Sequence, residues 1–350
     1  VFLPGEREIR EVGDLLRQQT WPQTEILPLF ARLSMADQHR IFYPGSKRRI
    51  ILATNVAETS LTVPGIRYVI DSGLARVSRH SGRTQVRRLP VERISQAAAN
   101  QRQGRCGRLA DGLCIRLFAE EDFRDRPLFT DPEILRVSLA AVILQMKYLK
   151  LGEMETFPFV DPPGRGAIQD GLRLLAELGA ITERGQLTPL GSSLAKLPLE
   201  PRLGRMLLAG QERLCLTEML IIVSAMSLPD PREWPAEQRG KAELAHKRHQ
   251  DPQSDFMGLL TLWSFIETGR QEAGSNNQFR RFLRENFLSV VRVREWQGIH
   301  EQLGQLIREE GMICNQIPAS FMEIHQAILS GSLGFIGFKS DNHEYVGVQQ

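Results

Sequence analysis

The sequence predicts an α/β domain with a parallel sheet over its first third, followed by a mainly helical remainder. Three observations carry this. Short β-branched runs alternate with amphipathic helical segments up to about residue 126, the rhythm that lays strands side by side in parallel. Beyond about residue 127 that rhythm stops and apolar residues recur at helical spacing. Two of the early runs end in polar tips, Thr54-Asn55 and Asp71-Ser72-Gly73, and ligands of parallel sheets gather at such carboxyl ends.

The elements follow in order. Residues 1–3 read as an apolar strand end and Pro4-Gly5 as a turn, and residues 6–18 carry Ile9, Val12, Leu15 and Leu16 at helical spacing. TEILPLF from Thr24 is the next strand; Ser34, with Asp37 three residues on, predicts a capped helix running to about Phe42. RRIILAT from Arg48 and GIRYVID from Gly65 are further strands. Residues 74–78 and 84–89 predict an antiparallel hairpin joined across His80-Ser81-Gly82. Ser95 caps a helix, ISQAAANQRQ, and GLCIRLF from Gly112 returns as a strand.

That helix delivers QRQGRCGR, residues 101–108, around which the chain is organised. Arg102, Arg105 and Arg108 recur every three residues, a spacing that predicts one side of a helix or helical turn. Arginine is permanently charged and its planar fork matches phosphate oxygens, while Gly104 and Gly107 leave room for close approach. A solvated, Arg-rich helix end is the competing reading of the octet taken alone. Charge distribution favours a ligand. The net charge is only +3, yet residues 76–108 hold nine arginines against one acid, Glu92. Such a concentrated basic face is the footprint of a site for a polyanion.

Composition sets the outer limits. With 350 residues, 42% hydrophobic and 24% charged, the chain is long enough for two to four domains and too apolar for global disorder. Cys106, Cys114, Cys215 and Cys314 form no CxxC pair, so neither a disulfide framework nor a zinc site is expected, and a reducing cytoplasm fits. No apolar run has the length of a membrane span. His246 and His249 stand three apart with no acidic or cysteine partner, and are expected to pack rather than hold metal.

ATNVAETSLTVPGI (53–66) and ISQAAANQRQGRCGR (94–108) resemble motifs V and VI of the DEAH-box ATP-dependent RNA helicases, and FLPG (2–5) resembles motif IV. LTPLGSSLAKLPLEPRLGRMLL (187–208) is similar to the stretch that closes the winged helix in that family, and HKRHQDPQSDF and RVREWQ are similar to its bacterial HrpA-type members. The resemblance covers essentially the whole chain. It implies a second RecA-like lobe over 1–126, a winged helix over 127–201 with ITERGQLT as its wing, a ratchet-like helical domain over 202–330, and the start of an OB-like β domain over 331–350. Residues 134–149 read from their own apolar pattern as a core helix.

The same resemblance assigns roles. Arg105 and Arg108 would be arginine fingers on the γ-phosphate of ATP, and Gln101 would orient the attacking water. Phe42 would stack on adenine, and Ser60 would sense the nucleotide state. Thr54 and Asn55 would bind RNA phosphates, and the hairpin arginines Arg79, Arg83, Arg87 and Arg88 would bracket nucleic acid. Arg102 is expected to make an internal ion pair and Glu58 to be a structural partner. Most of Arg280, Arg281, Arg284, Arg292 and Arg294 are expected on solvated helix faces. Val63-Pro64-Gly65 replaces the aspartate-glycine of many eukaryotic members, so their ribose contact does not carry over.

Neither GxxxxGK[ST] nor DExH occurs. The P-loop and the magnesium-binding acids are therefore expected in a lobe upstream of Val1, and this chain alone is expected not to hydrolyse ATP. The parent would be a cytoplasmic RNA helicase, acting as a monomer and using ATP and magnesium. A non-catalytic nucleic-acid-binding module, a scaffold keeping the fold, and a DNA-directed helicase stay open on the sequence.

Overall fold

The computed structural model describes all residues except 32, 34, 44, 60–62, 82–85, 109, 236–237, 340–344 and 348–350, and only the backbone of 35–36, 59, 80–81 and 86–87. The chain forms two compact units, Val1–Val137 and Ser138–Gln350.

The strands of the first unit are β1 (Thr24–Leu29), β2 (Arg48–Ala53), β3 (Tyr68–Asp71), β4 (Leu74–Arg76), β5 (Arg79–Ser81), β6 (Val86–Arg88), β7 (Val91–Arg93) and β8 (Leu113–Arg116). Its helices are α1 (Glu6–Arg17), α2 (Met35–Arg40), α3 (Val56–Thr59), α4 (Gln96–Gln103) and α5 (Glu120–Arg124). β1 pairs with β2 and β3 with β8, all parallel. Phe2 bridges Ala53 on one side and Asp71 on the other, again in parallel. The first residues thus form the central strand, in the order β1, β2, Phe2, β3, β8.

Both faces of this sheet are apolar, as parallel strands between helices require. Leu27, Leu29, Ile51, Ala53, Phe2 and Val69 point to one face, covered by Ile41 after α2, Ala57 of α3 and Cys106 after α4. Their neighbours Ile26, Ile50, Leu52, Val1 and Leu3 point to the other, against Ile9, Val12 and Leu16 of α1. The period-two alternation of side chains along each strand explains the division.

The arginine-rich hairpin is longer than predicted. β4 pairs with β7 and β5 with β6, both antiparallel, and the register that sets Leu74 opposite Arg93 continues unbroken to Ser81 opposite Val86. The predicted pairing of 74–78 with 84–89 is corrected by this register. Between the two pairs the Pro90 carbonyl accepts from the Val77 amide at 3.1 Å, and a two-stranded ribbon tolerates the N–H that proline lacks. The predicted turn and the Ser34 cap reach residues outside those described.

Ser95 caps α4 as expected, its hydroxyl accepting from the Ala98 amide at 3.2 Å. The Gln96 and Ala97 amides donate to the Pro127 and Leu128 carbonyls, so residues just beyond 126 complete the first unit.

The second unit holds α6 (Ala140–Tyr148), α7 (Arg165–Glu177), α8 (Pro189–Lys196), α9 (Pro201–Glu212), α10 (Leu216–Met226), α11 (Arg239–Lys247), α12 (Asp255–Glu272), α13 (Asn276–Glu285), α14 (Val290–Glu309) and α15 (Phe321–Ser330). The antiparallel pair β9 (Gly337–Lys339) and β10 (Tyr345–Gly347) follows. The helix expected over 134–149 is instead a 3-10 turn, Glu133–Leu135, followed by α6; the Ala140 amide bonds to the Ser138 hydroxyl at 3.5 Å, which starts the helix late. ITERGQLT forms a tight turn closed by one bridge, Ile181 to Leu187, with Gly185 at φ +74°. The helices enclose an apolar cluster of Ala225, Leu262, Ile266, Phe279, Leu283, Leu288, Val293 and Trp296. His246 lies against the Glu233 carbonyl (3.1 Å) and the Trp234 ring, and His249 against Phe265. Among the described residues no helix is long and apolar enough to cross a membrane.

Candidate functional site

The carboxyl ends of β1, β2 and β3 meet the first turn of α3 and the last turn of α4. The Thr54 amide, just past β2, donates to the Leu29 carbonyl at the end of β1 (3.1 Å). Thr54 and Asn55 then open α3, their carbonyls accepting from Ala57 and Glu58. Thr54 is half-buried and Asn55 exposed.

Glu58 is the hinge pin of this arrangement. Its side chain accepts from Arg102 Nε at 3.1 Å, and its main-chain carbonyl accepts from Arg105 Nη2. Arg102 Nη1 reaches Asp71 Oδ1 at 2.7 Å and the Leu74 carbonyl at 3.2 Å, and the guanidinium lies over the Phe2 ring. Arg102 and Asp71 are both 0% exposed. Asp71 Oδ1 also accepts the Gly73 amide at 2.9 Å. Gly73 is held at φ +71°, and a Cβ there would sit 2.5 Å from Phe118, so the DSG tip is a turn that only glycine fits. One buried ionic cluster therefore joins α3, α4 and the tip of β3.

This geometry revises the even arginine stripe expected from the spacing. α4 ends at Gln103, and the three arginines have three environments. Arg102 is buried, Arg105 is half-buried against Glu58, and Arg108 is exposed, as is Gln101 on α4. Burial raises the Glu58 carboxyl above its ordinary range, against the pull of Arg102. Burial, and then the nearby charge of Arg108, lower Arg105 from the ordinary arginine value. A guanidinium disfavoured by burial and by a neighbouring cation is a place where a bound anion is stabilised. The glycines divide differently from expectation. Gly107 has open space around it, whereas a Cβ at Gly112 would lie 2.3 Å from the Cys106 carbonyl oxygen; Gly112 is the one that packing demands.

Phe42 follows α2, half-buried against the Leu27–Ile51 face and edge-on to His39 at 6.1 Å. Ser60 and Arg83 lie outside the described residues, and only the backbone of Arg87 is described, opposite His80. Arg88 is exposed on β6. Arg79 donates to Glu92 at 2.8 and 2.9 Å and to Asp131 at 2.8 Å. Hydrogen bonds to Glu92, then Asp131, raise its pKa further, and Arg79 in turn lowers that of Glu92. Two carboxylates neutralise it, which makes it a brace of the ribbon. In the second unit Arg281 pairs with Glu285 at 2.7 Å and Arg292 donates to the Asp230 carbonyl at 2.9 Å. Among the described residues no cluster of three His, Cys, Asp or Glu stands ready for a metal ion. The residue that sequence reasoning missed is Asp71; its only signal was a charged residue at the end of a core strand.

Residues 1–110 match the helicase conserved C-terminal domain, 171–199 the winged-helix part of the helicase associated domain (HA2), and 200–259 its ratchet-like part. The ATP-dependent RNA helicase HrpA of Escherichia coli (strain K12) is 54% identical over 355 residues, covering 100% of this chain. The HrpA homolog of Haemophilus influenzae is 52% identical over 357 residues, again covering 100% of the chain. The probable ATP-dependent RNA helicase DHX34 of Mus musculus is 34% identical over 320 residues, 89% of this chain and 28% of its own length. The chain spans 27% of the length of each of the two HrpA proteins it matches.

Proposed function

Since the chain belongs to the helicase family that the HrpA proteins represent, we propose that it works as the second RecA-like lobe and helicase-associated region of an ATP-dependent RNA helicase. The single observation that carries this reading is Arg105, held beside the carboxyl ends of parallel strands by a buried ionic cluster, with the charge of Arg108 nearby. In this reading 1–126 form the lobe, 127–201 the winged helix, 202–330 the ratchet-like domain and 331–350 the start of an OB-like segment.

Bound ATP supplies the phosphoanhydride whose hydrolysis drives movement. The residues here fit its anionic end: burial and the charge of Arg108 both disfavour the Arg105 guanidinium, and an anion relieves that. In this role they stabilise charge on the terminal phosphate, Gln101 holds a water by its exposed amide, and Phe42 offers a ring for a base. Magnesium is assigned to no residue of this chain, because the described residues bring no carboxylate cluster together. Thr54 and Asn55, with short polar side chains at a strand's end, take RNA phosphates. The exposed Arg88 adds a charge contact, while Arg79 shapes the ribbon that carries it. The free thiols of all four cysteines support a reducing, cytoplasmic setting.

The experiment compares ATP turnover, with and without RNA, by this chain and by its full-length parent. RNA-stimulated turnover by the parent and none by the chain is the expected result. Turnover by the pure chain contradicts the division of the site between two lobes, and none by the parent contradicts the enzyme itself.

A further inference from the structure

Buried charge is a costly way to fasten a helix, because three ionised groups must leave water together. Around Arg102 the cost is plain: Asp71 Oδ2 and Arg102 Nη2 are buried with no hydrogen-bond partner. An ionic contact supplies what an apolar one does not, which is direction. The guanidinium fork meets Glu58 of α3 through Nε and Asp71 of β3 through Nη1, and that fixes both the rotation and the height of the last turn of α4. Arg105 follows within the same turn. Its amide donates to the Arg102 carbonyl at 3.0 Å, and its guanidinium to the Glu58 carbonyl. A shift of the anchor is therefore passed directly to Arg105.

We propose that Asp71 and Glu58 are positioning residues which, through Arg102, set Arg105 at the geometry needed to meet the terminal phosphate of the nucleotide. This rests on the proposed function, in which Arg105 touches that phosphate. Neither carboxylate touches the substrate. Their effect falls on turnover more than on binding, since misplacing a transition-state contact leaves ground-state affinity nearly intact.

The test is a double-mutant cycle in the full-length parent, reading RNA-stimulated ATP turnover for Asp71→Asn, Arg105→Ala and the two combined. Asp71→Asn keeps the side chain's shape and removes its charge. It is expected to lower kcat about 100-fold, the scale of a misplacement near 1 Å, with KM for ATP and RNA affinity within about threefold of wild type. In the Arg105→Ala background it is expected to add little, because it acts through a group already removed. Glu58→Gln should move kcat in the same direction by less. If Asp71→Asn fails to fold, Asp71→Asn with Arg102→Gln leaves a neutral hydrogen-bonded pair and should show the same loss of kcat. Wild-type turnover in the folded variant overturns the inference, as does a loss that multiplies fully with that of Arg105→Ala. Collapse of Arg105→Ala beside an unaffected Asp71→Asn removes the inference alone; normal turnover by Arg105→Ala removes the proposed function and the inference together.

Discussion

Trp296 and Arg102 are the two largest fully buried side chains among the described residues, and they hold their units together in opposite ways. Trp296 sits in the apolar cluster of the second unit, edge-on to Trp263 at 4.9 Å, with its indole N–H donating to the Ile221 carbonyl and Ser224 hydroxyl. It stabilises by area and packing, which are non-directional. Arg102 sits between two carboxylates in the first unit and stabilises little by area. It fixes an orientation. The contrast teaches where function lies in this molecule: beside the candidate site an ionic cluster fixes an orientation, whereas the cluster around Trp296 is held by apolar packing.

The largest effects separate the two cores directly. Trp296→Ala is expected to cost about 3–5 kcal/mol by the cavity it leaves, and Arg102→Met about 3–5 kcal/mol by leaving two buried carboxylates uncompensated. Adding Asp71→Asn and Glu58→Gln to Arg102→Met should recover most of that loss, since a neutral core no longer carries the charge. No polar substitution around Trp296 should do the same. Chemical denaturation of the single and combined variants decides it; a triple variant as unstable as Arg102→Met would break the comparison.

Acid should then act on the helical unit through its buried histidines. Burial lowers His246, His249 and His300 below their ordinary value of 6.5. Their neutral forms are stored in the fold, so stability present above pH 6.5 is lost as pH falls through their folded values. Burial raises Glu58 above 4.5, so its contribution is full below that value and is lost as pH rises through its folded value. Thermal unfolding followed by tryptophan fluorescence at about pH 7.5 and about pH 5.5 should show the helical unit melting earlier in the more acidic buffer. An unchanged midpoint contradicts the histidine assignment.

The smallest effects concern the ribbon. Arg79→Ala removes an exposed ionic brace and should cost only about 0.5–1 kcal/mol, leaving the salt dependence of RNA binding unchanged because two carboxylates already neutralise it. Arg88→Ala should reduce the slope of log affinity against log salt by about one. Equal slopes for the two variants would show that pairing does not distinguish these arginines.

Much of the first unit was legible because its signals are local. The short β-branched apolar run in RRIILA marks β2, and Ser95 before an apolar run marks the start of α4. Of the ionic cluster, an internal ion pair of Arg102 and a structural Glu58 were expected, but not their meeting with Asp71, because the partners are remote in sequence: Arg102 meets Glu58 and Asp71, 44 and 31 residues away. Spacing every three residues describes a helix face only while the helix continues, and α4 ends at Gln103. Likewise Gly107 looked like the glycine of close approach, yet only the folded chain brings the Cys106 carbonyl over Gly112.

The central claim is that Arg105 serves the nucleotide from this lobe. The most direct measurement is RNA-stimulated ATP turnover of the full-length parent beside its Arg105→Ala variant, with RNA affinity and thermal stability measured on both. A fall of about 10³-fold or more in turnover, with folding and RNA binding retained, is the predicted result. Turnover equal to wild type would contradict it and reduce QRQGRCGR to a structural cluster.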